Sequence, residues 1–103
     1  MKVIWNNWSE NLLRQTTDYI QVEFGKEAKV KFIKDIYHIT KLLESNPNLG
    51  KVEPLLANAP MLYRSIVVSR LSKIIYWING DVVEIVDFWD TRREPKSQAE
   101  QMR

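Results

Sequence analysis

The stretch KIIYWINGDVVEIVDFW, residues 73–89, decides the fold. Two runs rich in β-branched and aromatic residues flank the dipeptide Asn79-Gly80. This dipeptide favours a β-hairpin because a type I′ turn needs positive φ at both of its central residues. We therefore predict strands at residues 73–78 and 82–89, joined by a two-residue loop.

A two-residue loop fixes the register of the hairpin and so divides its side chains between two faces. The face expected to pack on helices contains Ile74, Tyr76, Ile78, Val83 and Ile85. The opposite face contains Lys73, Ile75, Trp77, Val82, Glu84, Val86 and Phe88. A mixed patch of this kind, when exposed, indicates a partner surface, and we assign partner binding to Ile75, Trp77, Val86 and Phe88. The alternative is that the segment at residues 47–60 or the C-terminal tail covers this face.

On the N-terminal side of the hairpin, the pattern of residues 62–68 predicts a further strand, which would complete a three-strand meander. Residues 2–5 predict a first strand, and residues 10–24 an amphipathic helix with Ser9 as N-cap. A second helix is expected at residues 26–45, where its polar side carries the single histidine, His38.

These elements define an α+β fold class. An N-terminal strand and a two-helix antiparallel hairpin pack on a curved, mainly antiparallel sheet of about four strands. Three prolines make residues 47–60 an irregular connection. We expect a single domain over residues 1–95, followed by a polar tail at residues 96–103.

Composition excludes several classes of site. The chain has 103 residues, no Cys and one His, which argues against disulfide scaffolds and Cys- or His-rich metal sites. No apolar run approaches the roughly 20 residues of a membrane span. We therefore expect a cytoplasmic protein with no cofactor, no metal, no small-molecule substrate and no membrane partner.

Charge is sorted along the chain although the net charge is only +2. Residues 54–80 carry three basic and no acidic side chains, whereas residues 81–90 carry four acidic and no basic ones. The meander would bring Lys73 close to the Arg92-Arg93 pair, and the preceding strand can bring Arg64 or Arg70 nearby. Such a cluster could bind phosphate or stabilise a developing phosphoryl charge.

The acidic run offers a weaker candidate. Glu84, Asp87 and Asp90 could serve acid–base chemistry or bind a divalent ion. In a regular strand Glu84 and Asp87 differ in parity and would point to opposite faces. Solvated or salt-bridged carboxylates are the simpler interpretation.

The order of elements and several short motifs resemble the RelE/ParE superfamily, the toxins of type II toxin–antitoxin (plasmid stabilisation) modules. The resemblance runs from the opening KVIW through NPNLG at residues 46–50 to DTRREP at residues 90–95. It implies a partner antitoxin that wraps the sheet and helices. It also implies one of two activities: ribosome-dependent cleavage of messenger RNA in RelE-like members, or poisoning of DNA gyrase in ParE-like members.

The nuclease residues of the superfamily match this chain in part. The resemblance places Arg64, Lys73 and either Arg92 or Arg93 at basic catalytic positions of a metal-independent endoribonuclease. Ile66 replaces a second lysine, and no Tyr or His follows Arg93. A general acid or base contributes roughly 10²–10⁴-fold to a rate, so a site lacking one would be slow. The basic residues could still act electrostatically, and Tyr63 or Tyr76 could be recruited.

Three functions follow as expectations. The first is a ParE-like toxin that is neutralised by a cognate antitoxin and binds an essential target such as DNA gyrase. The first alternative is a RelE-like nuclease acting on ribosome-bound mRNA. The second alternative is a peptide-binding module without toxic activity.

Overall fold

The computed structural model describes residues 1–69 and 72–90. The elements are β1 (Lys2–Trp5), α1 (Asn7–Phe24), α2 (Lys26–Ser45), β2 (Lys51–Val52), a 3₁₀ turn (Pro54–Leu56), β3 (Arg64–Ser69), β4 (Ser72–Asn79) and β5 (Val82–Asp90). One sheet has the strand order β1-β5-β4-β3-β2, in which β1 runs parallel to β5 and all other neighbours are antiparallel. The α+β class is confirmed, and the two-residue edge strand β2 makes five strands instead of about four. Within the described ranges, neither helix combines the length and apolarity needed to cross a membrane.

Helix α1 begins earlier than predicted, because Asn6 and not Ser9 is its N-cap. The Asn6 side chain accepts a hydrogen bond from the Ser9 amide at 2.8 Å. The Ser9 hydroxyl is buried and donates to the carbonyl of Ile85 at 2.9 Å. Asn6 Nδ2 donates to the carbonyl of Val86. The start of α1 is therefore attached to β5 just where β1 stops pairing with it.

The two helices share a core with the sheet. Gly25 separates α1 from α2 and has a φ of 95°. Residues with a side chain rarely adopt this backbone conformation. The buried cluster between helices and sheet consists of Leu12, Phe32, Ile36, Leu43, Ile74, Tyr76, Val83, Ile85 and Phe88. We call this side of the sheet the helix face.

The β4–β5 hairpin forms as predicted, but its loop lies one residue later. Asn79 pairs with Val82, so the loop is Gly80-Asp81. Only Gly80 has positive φ there, at 64°, which matches the requirement of a type II′ turn rather than a type I′ turn. Both possible loops contain two residues, so residues near the turn keep their predicted faces.

A β-bulge at Val86 then inverts the faces. Tyr76 pairs with Ile85 but Ile75 pairs with Asp87, which leaves Val86 as the extra residue. Phe88 consequently lies on the helix face, where its ring meets that of Phe32 edge-on at 6.0 Å. Its assignment to the opposite face was therefore wrong.

Candidate functional site

The side of the sheet opposite the helices, here called the loop face, is partly covered by the chain itself. Leu56 packs on Ile75 and Trp89 in a second buried cluster, with Val86 at its margin. Ile75 is fully buried, whereas Trp77 and Val86 are half-buried. Of the four predicted partner-binding residues, two therefore retain accessible surface.

Lys73 lies on the loop face in contact with Glu53, a residue that the sequence analysis missed. Its ammonium forms an ion pair with the Glu53 carboxylate, whose side chain is 1% exposed, while the Lys73 side chain is 19% exposed. The ammonium also lies 5.0 Å from the centre of the Trp89 ring. The irregular connection thus supplies a buried counter-ion, and the cation fixes that connection to β4.

The environment of Glu53 favours its ionised form. Burial would raise the pKa of Glu53, but the ammonium of Lys73, the amide of Leu55 and the hydroxyl of Ser65 outweigh burial and hold it below its usual range. The Leu55 amide donates to the carboxylate at 2.9 Å. The Lys73 ammonium is therefore paired with a buried carboxylate that competes with any phosphate for it.

Arg64 lies away from the ion pair of Lys73 and Glu53. It pairs across the sheet with Tyr76, a helix-face residue, and one of its guanidinium nitrogens donates to the carbonyl of Gly50 at 2.8 Å. Lys73 pairs with Val67, three positions along β3 and of opposite parity. The two cations therefore point to opposite faces, about 10 Å apart along the strands. The structure does not bring them together, and Arg70, Arg92 and Arg93 lie outside the described residues.

Tyr76, a possible substitute for the missing C-terminal Tyr or His, is also engaged in hydrogen bonds within the chain. Its hydroxyl donates to the carbonyl of Pro47 and accepts from the amide of Gly50, both at 2.8 Å. Burial raises the pKa of the Tyr76 phenol, against the opposing effects of the Gly50 amide and the Arg64 charge. A fully buried phenol with a raised pKa is a poor proton acceptor at neutral pH.

Gly50 is required for this arrangement. A Cβ at this position would lie 2.8 Å from the carbonyl oxygen of Ser65 and 2.8 Å from the Tyr76 ring and hydroxyl. The motif NPNLG therefore has a local structural explanation: its last residue must be small enough to let the loop approach β3 and the tyrosine.

Two carboxylates of β5 accept hydrogen bonds from the indole groups of tryptophans. The bulge places Glu84 and Asp87 on the same face, contrary to the parity argument, through their pairing with Trp77 and Ile75. Glu84 accepts from Trp77 Nε1 at 2.7 Å. Asp87 is fully buried and accepts from Trp8 at 3.0 Å and Trp89 at 2.7 Å. The described residues contain no group of three or more potential metal ligands.

An open pocket of about 300 Å³ lies at the end of the sheet near Arg64. Its lining consists of Asn48, Pro60, Met61, Leu62, Arg64, Trp77 and Ile78. Met61 and Leu62 are 42% and 61% exposed, and Arg64 supplies the one charge among the described lining residues. The pocket therefore combines apolar surface with a cation, which suits a large apolar side chain next to a carboxylate.

Comparisons with known proteins define the class of this fold. No protein-family model and no curated protein matches the chain. A chain of the chromosomal ParDE toxin–antitoxin system from P. aeruginosa is 22% identical, with a TM-score of 0.72 over 89% of this chain and 97% of its own. A YoeB/ParE toxin from Agrobacterium tumefaciens is 19% identical, with a TM-score of 0.60 over 87% and 98%. A YoeB dimer from Staphylococcus aureus is 18% identical, with a TM-score of 0.59 over 86% and 94%.

The fold of two helices on a five-stranded, mostly antiparallel sheet is shared with these three structures over nearly the whole length of each chain. The chain has this fold, and the resemblance read from its sequence is confirmed at that level.

Proposed function

We propose that the chain is the toxin of a type II toxin–antitoxin module and that it acts by binding its target rather than by cleaving RNA. The proposal rests on the fold and on one observation above all. Lys73, a cation that a nuclease of this fold would use, is held by the buried carboxylate of Glu53. The other described candidate, Arg64, points to the opposite face of the sheet.

Further features support the binding branch. The phenol of Tyr76 is buried and hydrogen-bonded to the Pro47–Gly50 loop, so it offers no proton-transfer group to a substrate. The TM-score of 0.72 with the ParDE chain exceeds that of 0.60 with the structure titled YoeB/ParE and that of 0.59 with the structure titled YoeB. We therefore place the chain in the ParE-like branch, with DNA gyrase as the proposed target and the cytoplasm as the proposed location.

The proposed contact with the antitoxin uses the Arg64 pocket and its margin. Trp77 and Leu62 line the pocket together with Arg64; Trp77 is half-buried and Leu62 is 61% exposed. An antitoxin segment that places an apolar side chain in the pocket and a carboxylate on Arg64 would bury this surface. Mixed apolar and charged patches at one site are typical of such protein contacts.

Induction of the chain without an antitoxin in bacterial cells tests the proposal. Incorporation of labelled thymidine and labelled methionine would be followed in parallel from the moment of induction. We expect DNA synthesis to fall first, with an SOS response, while protein synthesis continues. An early stop in protein synthesis would favour the nuclease, and unaffected growth would favour a non-toxic peptide-binding module.

Two variants assign the surfaces. Leu62→Asp should remain toxic but escape neutralisation by the product of an adjacent antitoxin gene, since only the pocket margin is changed. For the nuclease alternative, Arg92→Ala combined with Arg93→Ala should abolish transcript cleavage while antitoxin binding persists. Toxicity that is unchanged in this double variant would remove both arginines from the proposed site.

A further inference from the structure

Helix α2 carries a second apolar stripe that the core does not use. Its core side consists of Phe32, Ile36 and Leu43, all buried. On another side of the helix, Val30, Ile33 and Tyr37 are 41%, 47% and 62% exposed. Their spacing of three and four residues places them in one row along the helix, so an apolar surface is left open to solvent.

This row extends over the whole helix as a seam with opposite charges at its two ends. Steps of four and three residues connect Lys26, Val30, Ile33, Tyr37, Thr40 and Glu44. The hydroxyl of Thr40 is bonded to the carbonyl of Tyr37 at 2.8 Å, which leaves its methyl group as the part available for packing. The alternation matches the a and d positions of a coiled coil.

The seam is complementary to itself when two copies run antiparallel. In that arrangement each a position faces a d position of the other helix, so Ile33 meets Tyr37 of the second copy and Val30 meets Thr40. Lys26 then meets Glu44 of the second copy, twice by symmetry. A parallel pairing would instead place Lys26 on Lys26 and Glu44 on Glu44.

The residues beside the seam favour the same pairing. Glu27, Lys34 and Lys41 each directly follow a seam residue. In the antiparallel pairing Glu27 would face Lys41 of the second copy, twice by symmetry, and Lys34 would face Lys34 of the second copy. Four attractive contacts thus stand against one repulsive contact. The existing ion pair of Lys41 with Glu44, at 3.5 Å, is solvent-exposed and therefore competes only weakly.

We propose that two copies of the chain associate through an antiparallel, two-fold symmetric contact of their α2 helices. The contact is isologous, so every interaction occurs twice. One helix of 20 residues, about 30 Å long, provides the surface on each side. Such a small interface supports a reversible, concentration-dependent dimer rather than a permanent one. This inference does not depend on the proposed toxin function.

Sedimentation velocity of the purified chain over a roughly 100-fold concentration range tests the proposal. We expect a shift from monomer to dimer as concentration rises. Ile33→Asp should remain monomeric, whereas the matched control Val67→Asp, at an exposed position of β3, should dimerise as the wild type does. A chain that stays monomeric throughout, or that loses its dimer equally in both variants, would overturn the proposal.

The register is tested by exchanging the end charges. Lys26→Glu should weaken dimerisation about tenfold, because two attractive contacts become repulsive, and Glu44→Lys should do the same. Their combination should restore wild-type affinity. Both changes also place charges favourably on the helix dipole, so a weaker dimer would not reflect a weaker helix. Failure of the combined variant to recover would refute the antiparallel pairing.

Discussion

Replacement of Lys73 by Met removes the counter-ion of Glu53 while keeping most of the side-chain volume. The Glu53 side chain is 1% exposed and keeps, among the described residues, the Leu55 amide and the Ser65 hydroxyl as donors. Loss of one partner from a buried ion pair costs about 3–5 kcal/mol, and the partial exposure of Lys73 favours the lower end. Loss of the cation beside the Trp89 ring adds about 0.5–1 kcal/mol.

We therefore expect the free energy of unfolding to fall by about 3–4 kcal/mol, a large part of the 5–15 kcal/mol typical of such a domain. Urea unfolding followed by tryptophan fluorescence measures this change. Lys51→Met, at an exposed position on β2, should unfold like the wild type. Glu53→Gln combined with Lys73→Met should cost less than the two single changes added together. A loss below about 1 kcal/mol for Lys73→Met, or strict additivity, would refute the structural role of this lysine.

Four further variants and conditions have defined outcomes. Gly50→Ala should lower the free energy of unfolding by about 1–3 kcal/mol because its methyl group would overlap backbone and the Tyr76 ring; thermal melts of wild type and variant check this. Tyr76→Phe should cost about 1–3 kcal/mol through two lost hydrogen bonds, and an undiminished urea midpoint would contradict it. Asn6→Ala should cost about 1 kcal/mol through the lost N-cap of α1, measured in the same titration. The depressed pKa of Glu53 contributes stability that is present above its unfolded value near 4.5 and is lost as pH falls through the lower folded value; Glu53→Gln should flatten the stability profile in that acid range.

Apolar periodicity and turn-forming residues were sufficient to predict most of the architecture. Both helices and the β4–β5 hairpin follow from repeating apolar spacing and from Gly80. The N-cap shifted from Ser9 to Asn6 because the Ser9 hydroxyl is drawn to the carbonyl of Ile85, a tertiary contact that no local rule contains. The edge strand β2 has two residues and too little pattern to be recognised.

The candidate site was less predictable, for two physical reasons. The bulge at Val86 inverts the alternation of β5, yet Val86 has the same β-branched character as its neighbours. Phe88 and Asp87 were therefore assigned to the wrong faces. Glu53 is an isolated acid in an irregular segment, and only the folded chain brings it to Lys73. A lysine within an apolar strand, in a stretch (residues 54–80) that contains no acidic residue, is the one signal that could have prompted the search for a distant carboxylate.

The central claim is that the chain acts by binding and not by cutting RNA. Mapping the 5′ ends of cellular transcripts in the first minutes after induction of the wild-type chain tests it most directly. The account predicts the same set of ends as in uninduced cells while growth is already inhibited. New ends within translated regions, appearing as growth stops and absent in an Arg64→Ala variant, would contradict it.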